Sequence, residues 1–436
     1  MNLALMSTLR TRFEASSVVS VGCAFLLLLG SALLTSIAGE AGGDHILPWL
    51  ATLAGITLVW LASLGSKPVS PLWLMGIAIG IRVIFLAMPT GFDTYRYVWE
   101  GNILLHGFNP YIHPPDDPLL QGLRDSAWES IGLRGATAIY PPLVQWLFAG
   151  LSSCGLGVWG FKLVFTLADL ALCGVLLANF GSKAARIYAW NPLAALSFAG
   201  GGHYDSLFML AMMLAWLAYQ RKVGFPLRAA LWVGIAIALK WMALPIGLWL
   251  VIHEWRERGL KFAFAAGGLV TVPVASSYVA LSLWTGQWTL QLMPPFFSKT
   301  ARSMEFLPII IDYLGRVGHL DNRIYFVILL AAWAVVASRA RSFLQATEWS
   351  FFATYLLSPM LHAWYLIWIL PFAVKSRNPG SIALATTGIF YFVVHYNMEQ
   401  PGGAWTYSWW QRCIIWLPFV IGFLMVHLNF RTKEKP

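Results

Sequence analysis

The chain has 436 residues, 58% of them hydrophobic and 11% charged, with a mean hydropathy of +0.66. Charged residues make up about a quarter of an ordinary globular chain. Too few are present here to build a water-soluble shell, which excludes a soluble enzyme, a nucleic-acid-binding module and a disordered scaffold. The formal charge of +10 is read as the basic loops that membrane insertion demands, with the lipid bilayer as partner and no nucleic acid.

Arg10 and Arg12 precede an apolar run at 17–38, about as long as a full span, which reads as a signal anchor rather than a cleaved peptide. Further helix-length runs follow near 46–65, 71–88, 157–180, 186–199, 204–220, 262–283, 322–338, 380–397 and 409–430. Three stretches, 139–154, 227–252 and 348–374, are too short for one crossing or are broken near the middle. The breaks are Lys-Trp-Met-Ala-Leu-Pro (240–245) and Ser-Pro-Met-Leu-His (358–362). The expectation is an all-α integral membrane protein: one polytopic helical bundle over 1–436, about 11–13 membrane segments with short or broken helices, and two long outer loops.

Lys and Arg in short loops orient such a chain. Arg10/Arg12, Lys67, Lys183/Arg186, Arg221/Lys222/Arg228, Arg256/Arg258/Lys261, Arg339/Arg341, Lys375/Arg377 and Arg431/Lys433/Lys435 share one face if 139–154 is a half-span and the two broken segments are hairpins. A full crossing by 139–154 would instead put Lys183 and Arg186 outside. With both termini cytoplasmic, the loops 89–138 and 284–321 lie outside, and they hold nine of the 19 acidic residues. Lack of other sorting signals points to a bacterial inner membrane. Cys23, Cys154, Cys173 and Cys413 lie in or beside apolar runs without metal-ligand spacing and read as buried thiols. No fixed-period repeat and no paired set of interrupted helices appears, which weighs against a transporter.

The first outer loop opens Met88-Pro89-Thr90-Gly91-Phe92-Asp93-Thr94-Tyr95-Arg96-Tyr97-Val98-Trp99-Glu100-Gly101. An Asp just past a span sits where partial desolvation raises its pKa and suits it to general-base work. Asp93 is therefore the catalytic candidate, with the N-cap of a helix over 94–105 as its plain structural alternative.

The pattern Asp-x-Tyr-Arg-Tyr-x-Trp-Glu-Gly, then Gly107-Phe108-Asn109-Pro110-Tyr111, then Tyr140-Pro141-Pro142-Leu143, resembles the first outer loop of polyprenol-phosphate-mannose-dependent mannosyltransferases of the GT-C fold, the bacterial MptA/MptB-like type. Gly201-Gly202-His203-Tyr204-Asp205, Ala236–Trp241 and Ser358–Tyr365 extend the resemblance over roughly residues 71–375. It implies that an acceptor hydroxyl on a glycan or glycolipid attacks the anomeric carbon of a polyprenyl-phosphate-linked sugar, most simply mannose, with inversion. Asp93 falls on that family's catalytic carboxylate. Asp93-Thr94-Tyr95 lacks the second acid of an Asp-x-Asp pair, and Glu100 lies about two helical turns on. No metal or other cofactor is expected.

A departing lipid phosphate needs cations and donors at the membrane boundary. Lys240, in the break of its hairpin, is one candidate, with an ion pair to Asp169 as the alternative. Arg96, Arg412, His203, Asp205 and His362 are the others, while His395 and Glu399 have weaker claims. Tyr95, Tyr97, Trp99, Trp364 and Tyr365 cluster with these polar residues and offer stacking faces for sugar rings or prenyl chains, although most of the 23 Trp serve as interfacial belts. In the second loop, Met293–Phe297 and the apolar stretch Phe306–Leu314 could rest on the membrane and admit the donor. The competing readings are a GT-C enzyme for another lipid-linked sugar, such as arabinose or glucose, and a glycolipid flippase.

Overall fold

The structure, a computed structural model, describes residues 3–39, 45–221, 227–289 and 296–433, with side chains placed between Val18 and His427. Lys222, Lys435, the run Met293-Pro294-Pro295 and the side chains of Arg10, Arg12, Arg431 and Lys433 fall outside it. In chain order the helices are α1 (Leu3–Gly39), α2 (Ile46–Leu64), α3 (Pro71–Leu86), α4 (Phe92–Leu105), α5 (Pro142–Ser153), α6 (Val158–Ala189), α7 (Pro192–Ala195), α8 (Asp205–Gln220), α9 (Leu227–Leu239), α10 (Leu244–Arg258), α11 (Leu260–Thr285), α12 (Leu307–Leu314), α13 (Asn322–Arg339), α14 (Phe343–Leu357), α15 (Leu370–Ser376), α16 (Pro379–Thr387), α17 (Val393–Glu399) and α18 (Trp409–Lys433). The protein is an all-α polytopic membrane protein. Among the described residues six helices are long and apolar enough to cross a bilayer, and three apolar helices are shorter. Of the other apolar segments, 204–220 forms the single helix α8, and 186–199 and 380–397 are broken.

The breaks have local causes. Gly181 (φ 75°, ψ 168°) interrupts α6, a conformation that a residue with a Cβ resists. The expected span 186–199 is not one helix: α6 stops at Ala189, Asn191 caps the amide of Ala194 at 2.8 Å, and Pro192 opens α7. The expected span 380–397 is likewise divided into α16, a tight turn over Gly388–Phe392, and α17. α5 has 12 residues, about 18 Å of helix, and cannot bridge a hydrocarbon core of about 30 Å.

The chain divides into two compact units, each woven from separate stretches. The first comprises 1–89, 166–201 and 362–436. A Cβ on Gly422 would stand 2.7 Å from the amide of Gly380, so glycines set the close crossing of α16 and α18. Within this unit Arg82 Nε donates to Asp169 Oδ2 at 2.7 Å, and Tyr188 donates to the other oxygen at 2.6 Å. All three are fully buried, and such pairing keeps these charges tolerable away from water. Arg186 donates to the carbonyls of Ser63 (2.6 Å) and Lys67 (2.5 Å). Arg186 and Lys67 therefore share one end of this unit.

The second unit comprises 90–165 and 202–361. A Cβ on Gly101 would stand 2.5 Å from the Phe148 carbonyl, and one on Gly234 would stand 2.6 Å from that of Val270, so α4 meets α5 and α9 meets α11 at backbone distance. Trp284, in the last turn of α11, donates to Leu104 O at 2.7 Å. The loop between α11 and α13 contains α12, whose Pro308 and Asp312 turn inward while Ile311, Tyr313 and Leu314 are exposed. Asp312 accepts from Tyr325 Oη, Arg302 (3.2 Å) and the Leu320 amide (3.2 Å), which holds this loop on itself. Ser303 exchanges backbone hydrogen bonds with Pro359 and Leu361, at 3.1 and 2.8 Å.

Candidate active site

α4 begins one residue before Asp93. Gly91 is the N-cap (φ −75°, ψ 174°), so Asp93 is the second helical residue and not the cap. A carboxylate in a first turn is favoured by the helix dipole, yet here burial dominates. Desolvation, offset by the charges of Arg96 and Lys240 and aided by Asp205 and Glu100, raises the Asp93 carboxyl from 3.8 to about 6. Its side chain keeps 38% of its surface exposed, so a reactant can reach it.

His203 is delivered to Asp93 by a turn that only glycine fits. Gly202 has φ +70°, and a Cβ there would stand 2.7 Å from Thr94 Oγ1 and 2.8 Å from Lys162 Cγ. Thr94 donates to the Gly202 carbonyl at 3.3 Å and shares a hydrogen bond with Thr90 at 2.8 Å. The turn is thus fastened to the start of α4. His203 Nδ1 lies 3.7 Å from Asp93 Oδ2, longer than a hydrogen bond.

Lys240 sits in extended backbone (φ −157°, ψ 125°) between α9 and α10. Its amide completes α9 through Ala236 O at 2.8 Å. Its ammonium is paired with Asp205 Oδ1 and lies 5.2 Å from the Tyr204 ring centroid. The expected alternative partner, Asp169, is instead bound to Arg82 in the other unit. Asp93, His203, Asp205 and Lys240 therefore come together in one unit, from α4, the turn before α8, the start of α8 and the α9–α10 break.

Tyr97 and Trp99 of α4 do not offer stacking faces. Tyr97 is 1% exposed, stacked on Phe148 at 4.7 Å and met by the edges of Tyr140 and Tyr204 at 5.2 and 5.6 Å. Trp99 is buried among Ile103, Leu120 and Ile131, and Tyr95 packs partly buried against that group. The reason is helical spacing: residues 95–103 turn one face onto α5 and another under the loop, and the rings fill both. Arg96 is also corrected from phosphate ligand to loop clamp. Its Nε donates to Glu100 at 2.8 Å, Nη1 to Gly132 O and Leu133 O (both 3.1 Å), and Nη2 to Ala136 O and Thr137 O. Glu100 is buried and also accepts from Gln145 at 2.7 Å; desolvation raises its carboxyl above the ordinary value.

His362, Trp364, Tyr365 and Arg412 belong to the other unit and form a cluster there. The His362 ring stacks on Trp364 at 4.6 Å, and its Nδ1 lies 2.7 Å from Tyr391 Oη. Tyr365 leans on Trp368 at 4.4 Å, and the buried Arg412 donates to Tyr407 O. Lys162 was not singled out from sequence. It is 1% exposed, with Nζ 5.1 Å from the Trp159 ring and its stem against Gly202. A lone cation in the first turns of an otherwise apolar helix was the available signal.

A sequence profile described as alpha-(1->6)-mannopyranosyltransferase, N-terminal domain, matches residues 49–256, which contain Asp93, His203, Asp205 and Lys240. These residues, just under half of the chain, are similar to this MptA/B family. Two curated relatives carry the name alpha-(1->6)-mannopyranosyltransferase A. The one from Corynebacterium glutamicum is 30% identical over 198 residues, 41% of this chain and 38% of that protein. The one from Mycobacterium tuberculosis is 23% identical over 438 residues, 90% of this chain and 80% of that protein. The match thus spans well under half of the first relative. No solved structure matches the chain.

Proposed function

We propose that this protein is a membrane mannosyltransferase of the GT-C type, taking mannose from a polyprenyl-phosphate carrier and passing it to a glycan or glycolipid acceptor at the non-cytoplasmic face. The observation that carries this reading is Asp93, reachable from solvent and with a carboxyl near 6, in a charged cluster with His203, Asp205 and Lys240. Similarity of residues 49–256 to the alpha-(1->6)-mannopyranosyltransferase profile supports the sugar and the reaction class. The clustering of basic residues on one side of the apolar segments supports the face and a plasma-membrane setting.

The chemistry follows from the groups present. The acceptor hydroxyl oxygen bonds to the anomeric carbon while its proton passes to Asp93. The bond from that carbon to the carrier phosphate breaks, and the phosphate leaves with the electron pair. One displacement from the far side inverts the centre. Lys240, held by Asp205, is the cation this cluster offers to the leaving phosphate. The pair also fixes the ammonium in place before the reaction, which is what electrostatic stabilisation of developing charge requires.

The test supplies purified protein in lipid with labelled polyprenyl-phosphate-mannose and a membrane glycolipid extract, comparing wild type with Asp93→Asn. Transfer should fall by about 10²–10⁴ in the variant while donor binding persists. Equal transfer by both would remove Asp93 as the base. Label that crosses the bilayer chemically unchanged would favour a flippase. Donors carrying arabinose or glucose, offered side by side, discriminate the sugar.

A further inference from the structure

We infer that the groove between α10 and α11 is a binding site for an anionic diacyl phospholipid, at the end of the second unit where these helices join. The groove has a volume of about 310 Å³ and is lined by Val251, Trp255, Ala263, Phe264, Gly267 and Gly268 among others. Nothing polar lines this wall, and Phe264 and Trp255 stand 77% and 55% exposed beside it. α11 is a membrane-length helix with only 17% of its most apolar window covered by protein, so lipid is what this face meets.

The groove owes its depth to glycine. A Cβ built on Gly268 meets no atom within 4 Å, and one on Gly267 meets only Val251 Cγ2, at 3.8 Å. Larger side chains would fit without strain, so packing within the protein does not demand either glycine. The open space is apolar, as the side of an acyl chain requires.

Charge selects the headgroup. At the same end, the turn through Gly259 (φ +92°) carries Arg256, Arg258 and Lys261. Arg256 Nη1 donates to Ser338 O at 2.7 Å, which brings the end of α13, with Arg339 and Arg341, to the same place. Five cations thus gather at this end with two carboxylates, Glu254 and Glu257, and Glu254 is buried 3.6 Å from Arg258. A neutral lipid gains nothing from this surplus, whereas an anionic headgroup near the bilayer surface does.

The measurement is native mass spectrometry of the full chain in mild detergent, given equal phosphatidylglycerol and phosphatidylcholine with identical acyl chains. The wild type should retain phosphatidylglycerol preferentially. Lys261→Gln and Arg339→Gln should each reduce that preference about fivefold, and Gly268→Leu should fill the slot and lower retention of both lipids. Lys261→Arg, which keeps the charge, should keep the preference. Equal retention of the two lipids by wild type, unchanged adducts in Gly268→Leu, or loss of the preference in Lys261→Arg would overturn the assignment. The readout does not depend on sugar transfer, so its failure and the failure of the mannosyltransferase reading are separately visible.

Discussion

Asp93 and His203 face each other across 3.7 Å, one on the first turn of α4 and the other on a turn that Gly202 allows to pass within contact of Thr94. The Asp93 carboxyl sets the pH dependence of any proton transfer at this site. As the base, Asp93 must be ionised, so transfer should decline as pH falls through about 6. A proton on His203 would favour the carboxylate. His203→Gln removes that support, and the acidic limb should move to higher pH. Rates measured across pH for both proteins check this; a limb that stays in place would detach His203 from Asp93.

The same burial predicts a stability effect of opposite sense. Asp93 titrates at about 6 in the folded protein against 3.8 as a free group, so between those values the folded state binds more protons. Wild-type stability therefore declines as pH rises through this window. Asp93→Asn has no charge to desolvate. It should melt above wild type at neutral and alkaline pH, with the gap closing below about pH 4. Thermal unfolding in matched detergent at several pH values is the check.

Lys240 and Asp205 have side chains 12% and 1% exposed. Removing one partner strands a buried charge, so Asp205→Asn or Lys240→Met should each cost about 3 kcal/mol. The double variant should cost clearly less than the sum of the two. A double-mutant cycle on denaturant unfolding measures the coupling; simple additivity would mean that the pair does not act as a unit.

Gly202→Ala places a Cβ where φ is +70° and Thr94 Oγ1 is 2.7 Å away. It should destabilise by more than about 1 kcal/mol and lower turnover more than it raises the acceptor KM, because it moves His203 and leaves Asp93 in place. Gly107→Ala, also at positive φ (+83°) but with open space around its Cβ, is the matched control and should leave turnover near wild type.

Arg96 holds four carbonyls of the stretch 132–137 against α4. Arg96→Gln should release that stretch and speed proteolytic cleavage within it by about tenfold, the equivalent of roughly one or two lost hydrogen bonds. Cleavage sites and rates by mass spectrometry decide; unaltered protection would return Arg96 to the list of ligand-binding cations.

Membrane class, helical content and the half-length of α5 follow from composition and apolar run length, because a bilayer accepts little else. The break at Lys240 was legible too, since a charge followed by Leu-Pro cannot continue an apolar helix comfortably. The division of 380–397 was not. It contains no proline, and its turn at Gly388–Phe392 is set by packing, with a Cβ on Gly388 only 2.8 Å from Leu366 Cδ1. Tyr97 and Trp99 were misread for a related reason. A ring on a polar-rich loop helix looks the same in sequence whether it faces a ligand or the protein, and only their partners Phe148, Leu120 and Ile131 decide.

By itself the sequence determined that this chain lives in a bilayer as broken and unbroken helices, and that Asp93 opens a loop resembling that of mannosyltransferases. Only the tertiary structure decided which charges share a site: Lys240 with Asp205 rather than Asp169, Arg96 with the loop carbonyls, His203 with Asp93. Burial makes the choice. Away from water a charge must find its partner among the groups that the helix crossings bring within a few ångströms, and separation along the chain carries no record of those crossings.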